Sequence, residues 1–307
     1  MLLQEITDLR KYVVVGSELS MSSINPSKDD AILKFFNRFF TDALITQLNS
    51  YKNETGVKKT AFDLAENALA KFTMYQYLIP GQLRVQDGSV SRIESENSKT
   101  AYKNQISDNR EEYYESGFNY LNQLISLMES NAGVFSEWAN SPLKKRFNLL
   151  LIKSAPEFDN YYQLHHSFTT FMSIINQQIL GIDLFLKAKF SATLIDELIT
   201  STSLSNEKQK FKDYCCKSLA NFTIKSALQT KIVSLSSYGI TVLEKDKDTS
   251  TVLEKTPDLS AISSAINSAD ENSKRYIDLA YTYMYENPSA FGITIDKPTF
   301  TKTQPWV

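Results

Sequence analysis

Two histidines, two cysteines and a scatter of carboxylate pairs are the residues from which chemistry could be built. His165 and His166 are adjacent, so on a strand they face opposite ways and on a helix they diverge by about 100°. A metal site needs three or four ligands that converge, and no set at ligand spacing accompanies them. Surface or aromatic-packing roles are expected for both. Cys215 and Cys216 are neighbours on a predicted helix, where at most one can point at the core, and they read as buried small hydrophobes. A catalytic thiol would need a base, which only His165 or His166 could provide as an imidazole. Asp29-Asp30 in the first turn of a predicted helix suit the helix dipole, while Glu94-Ser95-Glu96 and Asp246-Lys247-Asp248 read as solubilising loop residues. The tyrosines at 113-114, 161-162, 281, 283 and 285 could stack on bases, but a stacking platform normally comes with a basic groove, and none accompanies them. At helical spacing they are expected in core or interface. No catalytic set, no metal and no cofactor are expected.

The composition agrees with that expectation. The 307 residues suggest two domains, and 42% hydrophobic residues can build a substantial core. The 33 basic and 35 acidic residues leave a net charge of −2, which advertises neither nucleic acid nor an acidic tail. Nine glycines, none within six residues of another, exclude the GxGxxG and GxxxxGK phosphate loops. Two cysteines are too few for a disulfide scaffold, so a reducing compartment is expected. No run of about 18 apolar residues suggests a membrane span, and no signal peptide is expected.

The elements that must position these residues come in two copies. Phe40-x-x-x-Leu44-Ile45-x-x-Leu48 recurs as Phe190-x-x-x-Leu194-Ile195-x-x-Leu198, and Leu69-Ala70-x-Phe72-Thr73 recurs as Leu219-Ala220-x-Phe222-Thr223, both 150 positions later. Gly88 matches Gly239, and Tyr120, Met128, Asn131 and Phe135 match Tyr276, Met284, Asn287 and Phe291 with slightly larger displacements. Four matches in one order at nearly constant spacing point to internal duplication.

Each copy reads as helix, helix, β-hairpin, long helix. Asn25-Pro26 supplies a cap and first-turn proline for a helix over 27–51. Thr60 and Asp63 resemble a capping box for a second helix that ends at Pro80-Gly81. Asp87-Gly88, flanked by Leu83, Val85, Val90 and Ile93, predicts a tight hairpin turn. Its counterpart runs over 231–244 around Ser237-Tyr238-Gly239. A long helix follows each hairpin, over 99–131 and 257–287, with Pro257 in the first turn and Pro288 as a stop. The stretch 99–112 has only Tyr102 and Ile106 as apolar anchors, so it should be solvated or lie against a neighbour. Asn140 to Arg146 mixes turn residues with a basic triplet and marks a boundary. The expected fold class is therefore mainly α with minor β: 1–140 forms the first copy, 141–295 the second, and 296–307 an extended C-terminal arm.

Through Thr100-Ala101-Tyr102 to Glu129-Ser130-Asn131-Ala132, Phe135-Ser136-Glu137-Trp138, and Ser154-Ala155-Pro156-Glu157-Phe158-Asp159-Asn160-Tyr161-Tyr162, the chain resembles an uncharacterised family of phage and prophage proteins from Bacteroidetes. That resemblance implies a virion structural protein. In element order the chain also resembles phage head-to-tail connectors of the adaptor type, whose units have a short approach, a helix introduced by acidic residues (here Asp29-Asp30-Ala31-Ile32), an alanine-rich helix (here 61–77) and a hairpin or loop. Those adaptors are usually single units, so the doubled chain departs from them.

These resemblances imply a non-enzymatic ring, twelvefold by expectation, between portal and tail. The implied partners are portal, tail or completion proteins in a virion assembled in the bacterial host cytoplasm, without membrane or sequence-specific nucleic-acid binding. Tail completion, capsid decoration, an unrecognised enzyme and a terminase accessory are the rival roles. The expected partner-binding residues are Val85, Asp87 and Gly88 in the first hairpin, Tyr238 and Gly239 in the second, and Phe300, Pro305 and Trp306 in the arm.

Overall fold

A computed structural model describes residues 2–86, 89–92, 103–230, 233–236, 239–242 and 259–293. The chain is mainly helical and divides into two compact units, Met1–Arg146 and Phe147–Val307.

Unit 1 opens with the short helix α1 (Ile6–Arg10), followed by α2 (Met21–Ala31), α3 (Asp42–Ser50) and α4 (Gly56–Tyr77). Strands β1 (Leu83–Gln86) and β2 (Ser89–Arg92) pair antiparallel, and α5 (Lys103–Ser130), α6 (Ser136–Ala139) and α7 (Pro142–Phe147) follow. In unit 2 come α8 (Ala155–Asp159), α9 (Phe168–Gly181), α10 (Lys187–Lys189), α11 (Ala192–Thr200) and α12 (Asn206–Gln229). Strands β3 (Val233–Ser236) and β4 (Gly239–Val242) pair antiparallel ahead of α13 (Leu259–Glu286) and α14 (Pro288–Phe291).

The helix expected over 27–51 is two helices. Ser20 is the true N-cap of α2, its hydroxyl accepting the Ser23 N–H at 3.4 Å, and Pro26 lies inside the helix instead of in its first turn. The chain then widens into a π turn over Ile32–Phe36, closed by Asn37 N–H to the Ile32 carbonyl at 2.9 Å. Such a turn holds an extra residue and re-aims the side chains after it. Thr41 restarts the helix by accepting the Leu44 N–H at 3.3 Å. Likewise Thr60 and Asp63 are not a cap. Helix α4 starts at Gly56 after extended Thr55, and Asp63 pairs with Lys59 at 2.7 Å. Asp29 and Asp30 close α2 rather than introduce a helix, so the stabilising dipole end is not theirs. The basic triplet Lys144-Lys145-Arg146 is helical within α7, where Leu143 is buried.

Unit 2 repeats the departure as well as the plan. Its π turn, Ile182–Leu186, stands 150 positions after Ile32–Phe36, and Lys187 N–H closes it on the Ile182 carbonyl. Ser191 caps α11 as Thr41, 150 positions earlier, caps α3. Strands β3 and β4 begin 150 positions after β1 and β2, and α13 begins 156 after α5.

Within each unit the core lies where the two long helices run antiparallel. Phe72 of α4 meets Phe118 of α5 at 4.9 Å, Tyr75 meets Tyr114 at 5.3 Å, and Arg110 Nε donates to the Tyr75 carbonyl at 3.3 Å. The partner number falls as the α4 number rises. In unit 2, Tyr214 faces Tyr283, Ser218 donates to the Ser273 carbonyl at 2.7 Å, and Lys225 pairs with Asp270. The proximal part of α5, expected to be solvated or to meet a neighbour, makes contact with α4 from Arg110 onward.

Candidate functional site

Of the residues expected to bind a partner, Asp87, Gly88, Tyr238, Phe300, Pro305 and Trp306 lie outside the described residues. Val85 stands in β1 opposite Val90, and Gly239 opens β4 opposite Ser236. The register pairs like with like: Leu235 with Ile240 and Val233 with Val242, against Ser234 with Thr241 and Gln86 with Ser89. A two-stranded ribbon of four residues a side is marginal in water and needs a further strand or a packed face.

The residues that could do chemistry are placed in structural work. His165 and His166 both adopt left-handed backbone, φ 54° and 57°, which costs non-glycine residues free energy. Buried Asp159 holds that turn: it accepts the N–H of Leu164, the N–H of His166 at 2.7 Å, and His166 Nδ1 at 2.8 Å. Cys215 and Cys216 are both buried. Burial pushes the Cys215 thiol well up and the Cys216 thiol up to about 12, the opposite of an activated nucleophile. The Tyr161 hydroxyl is raised by burial first and by the neighbouring Cys216 second. Among the described residues no group of three or more His, Cys, Asp or Glu could hold a metal ion, and no helix is long and apolar enough to cross a membrane. A shallow, open groove in unit 2 runs between Ser205, Lys208 and Asn287, and Lys208 is already committed there to Glu197.

Two carboxylates with tertiary partners, one of them buried, escaped the sequence reading. Glu66 on α4 is fully buried and accepts the Leu3 N–H at 3.3 Å and the Tyr12 hydroxyl at 3.1 Å, which docks the N-terminal segment. The Tyr161–Cys216 pair is its counterpart in unit 2, 149 and 150 positions on. Glu129 near the end of α5 accepts Trp138 Nε1–H at 2.9 Å and pairs with Lys144, so it fastens α6 and α7 to their own unit. Spacing gave no signal for either carboxylate, because each partner is chosen by tertiary packing.

What the geometry leaves open is apolar surface. Leu33 is 66% exposed on the π turn of unit 1, and Leu184 is 67% exposed on that of unit 2, with Leu180 one turn before it also exposed. The aromatic residues fall on both sides of this division. Tyr114 is packed among Phe35, Tyr75 and Phe118, whereas Tyr281 and Tyr285 stand exposed on α13 and touch each other, hydroxyl to hydroxyl, at 3.0 Å.

The model of a family of unknown function (DUF6712) matches residues 32–148 and again 177–303, together most of the chain. The chain belongs to this family. Its two matched stretches fall one in each unit, consistent with a duplication. No curated protein and no solved structure matches.

Proposed function

We propose that the protein is a tandem duplication of a helix, helix, β-hairpin, long-helix unit, and that it works by contact as a ring-forming connector between the portal and tail of a phage particle. The observation that carries this reading is that one chain holds two units of one plan, each exposing leucine on its π turn, Leu33 in one and Leu184 in the other, where Leu180 on the preceding helical turn is exposed as well. A closed ring needs two different patches per subunit, related by a rotation that returns on itself. Duplicated units that have since diverged provide such a pair. The outer edges of β1–β2 and β3–β4 add main-chain donors and acceptors for strand addition between neighbours. A net charge of −2 imposes little repulsion on subunits packed side by side.

Mass measurement of the purified chain, alone and mixed with a portal, tests the proposal, with electron microscopy to count subunits. A ring, twelvefold by expectation, should form, and Leu33→Glu or Leu184→Glu should leave a folded monomer that no longer closes it. A chain that stays monomeric alone and with the portal overturns the reading.

A further inference from the structure

The exposed leucines of the two π turns stand on faces that are built differently. In unit 1, Asp29, Leu33 and Asn37 follow at four-residue steps and are all exposed, so a single leucine stands between two polar residues on one side of the helix. In unit 2, Leu180, Leu184 and Ala188 follow at the same steps and are exposed as well. Two leucines one turn apart, 44% and 67% exposed, leave a gap between them that one isolated apolar side chain can enter. The first face is a knob and the second a hole. Two copies of the first would set knob against knob, and two of the second hole against hole.

Charge gives the unlike pairing a direction. Beside the leucines, Lys34 lies 3.8 Å from Asp30, and Lys187 pairs with Asp183 at 3.2 Å and with Asp196 at 3.0 Å, so these groups are committed within their own units. Asp29 and Lys189 are exposed and take part in no ion pair among the described residues. Asp29 stands four residues before Leu33, about 6 Å of helix rise, and Lys189 stands seven residues past the midpoint of Leu180 and Leu184, about 10 Å. When the two helices run antiparallel with Leu33 at that midpoint, Asp29 and Lys189 fall on the same side of it, and the flexible lysine stem covers the remaining difference. Run parallel, the same contact brings Lys189 toward Arg38, a like charge, and leaves Asp29 against Leu180.

We infer that Leu33 of one copy seats between Leu180 and Leu184 of a second copy, with the helices antiparallel and Asp29 of the first on Lys189 of the second. This pairing rests on the reading that copies of the chain close a ring, and it assigns the two unlike patches that such a ring requires. The leucine contact removes apolar area from water, and the ion pair selects the direction.

Mixing two variants, each blind on one side, is the test. Leu33→Glu keeps the hole and Leu184→Glu keeps the knob. Each should sediment as a folded monomer, and an equimolar mixture should sediment as a one-to-one dimer that adds no further copy. Asp29→Lys placed in the Leu184→Glu chain should weaken that dimer about threefold or more, and Lys189→Asp in the Leu33→Glu chain should restore it. Circular dichroism checks folding, and Leu33→Ser or Leu184→Ser replaces a glutamate variant that unfolds. A mixture that stays monomeric overturns the pairing, as does either variant that dimerises by itself, which would mean that like meets like. A charge reversal without effect, or one that its partner does not rescue, overturns the antiparallel seat. A ring formed by the unaltered chain beside a monomeric mixture leaves the ring standing and the pairing lost; a dimeric mixture beside open chains of the unaltered protein does the reverse.

Discussion

Phe35 lies flat against Phe72, ring centroids 4.3 Å apart and planes 12° from parallel, and 150 positions later Phe185 lies on Phe222 at 5.0 Å and the same 12°. Both stacks bring together a π turn and the second half of a long helix. The extra residue of the π turn is thus part of the unit's plan, since it delivers the phenylalanine to the stack. The surroundings differ. Phe35 and Phe72 are buried with Phe39 and Phe118, whereas Phe185 and Phe222 are only half-buried, and the positions equivalent to Phe39 and Phe118 are the exposed Lys189 and Lys274. Phe72→Ala should therefore cost about 3–5 kcal/mol, and Phe222→Ala clearly less. Urea unfolding followed by Trp138 fluorescence in a Trp306→Phe background reads unit 1, and circular dichroism reads both units. Equal losses would mean that the two stacks carry the same load.

Glu66 carries a second prediction. A buried carboxylate that accepts a backbone N–H and a phenol leaves both donors without a partner when it is removed. Glu66→Ala should destabilise unit 1 by about 2–4 kcal/mol and should speed tryptic cleavage at Arg10 and Lys11. Cys216→Ala at the equivalent position removes a small buried side chain and no carboxylate acceptor, and should cost only about 1 kcal/mol. If cleavage at Arg10 is unchanged in Glu66→Ala, the N-terminal segment is held by Leu2, Leu3, Leu9 and Val13 alone.

The duplication could be read from sequence because it is written in residues that cannot change without a cavity. Leu44, Leu48, Leu69 and Phe72 are all buried, as are Leu198 and Leu219 at their counterparts. Helix ends were harder. Pro26 suggested a start because proline suits a first turn, yet Ser20 caps the helix six residues earlier, and α2 tolerates the missing N–H inside it. The π turn at Ile32–Phe36 has no compositional signature, since its residues continue the apolar spacing of an α-helix. Contacts such as Glu129 with Trp138 were out of reach for a different reason: the spacing of the two residues fits no helix or strand period, and only the fold brings them together. The site residues chosen in the two turns and the C-terminal arm fall largely outside the described chain, and the exposed leucines of the π turns were not singled out.

The Lys225–Asp270 pair predicts an acid dependence with a definite sign. Hydrogen bonds from Lys225 and Lys274 hold the Asp270 carboxyl below its ordinary value of 3.8, with burial opposing them. A carboxylate lowered in the folded state adds stability above that ordinary value and loses it as pH falls through the lowered folded value. Unit 2 should therefore weaken on acidification below pH 3.8, and Asp270→Asn should flatten this part of the curve while costing less than about 1 kcal/mol at neutral pH, because the pair is partly exposed. Unfolding midpoints measured across pH 2–6 for both proteins check it. In unit 1 the equivalent contact is the Tyr75–Tyr114 ring pair, which contains no carboxylate.

Gly117 offers a test in which propensity and packing disagree in sign. It lies inside α5, where replacing glycine by alanine usually stabilises a helix by about 1 kcal/mol. A Cβ at this position would stand 2.6 Å from Cε1 of Phe72. That ring cannot step aside, being stacked on Phe35 and met edge-on by Phe118. Overpacking of this kind costs about 1–3 kcal/mol, so Gly117→Ala should be destabilising on balance. Pairing it with Phe72→Leu, which removes the ring, should recover part of the propensity gain, and the double-mutant cycle should show coupling of about 1 kcal/mol or more. A stabilising Gly117→Ala would mean that α4 and α5 can move apart at this contact, and that the contact between Gly117 and Phe72 does not set the spacing of the two long helices.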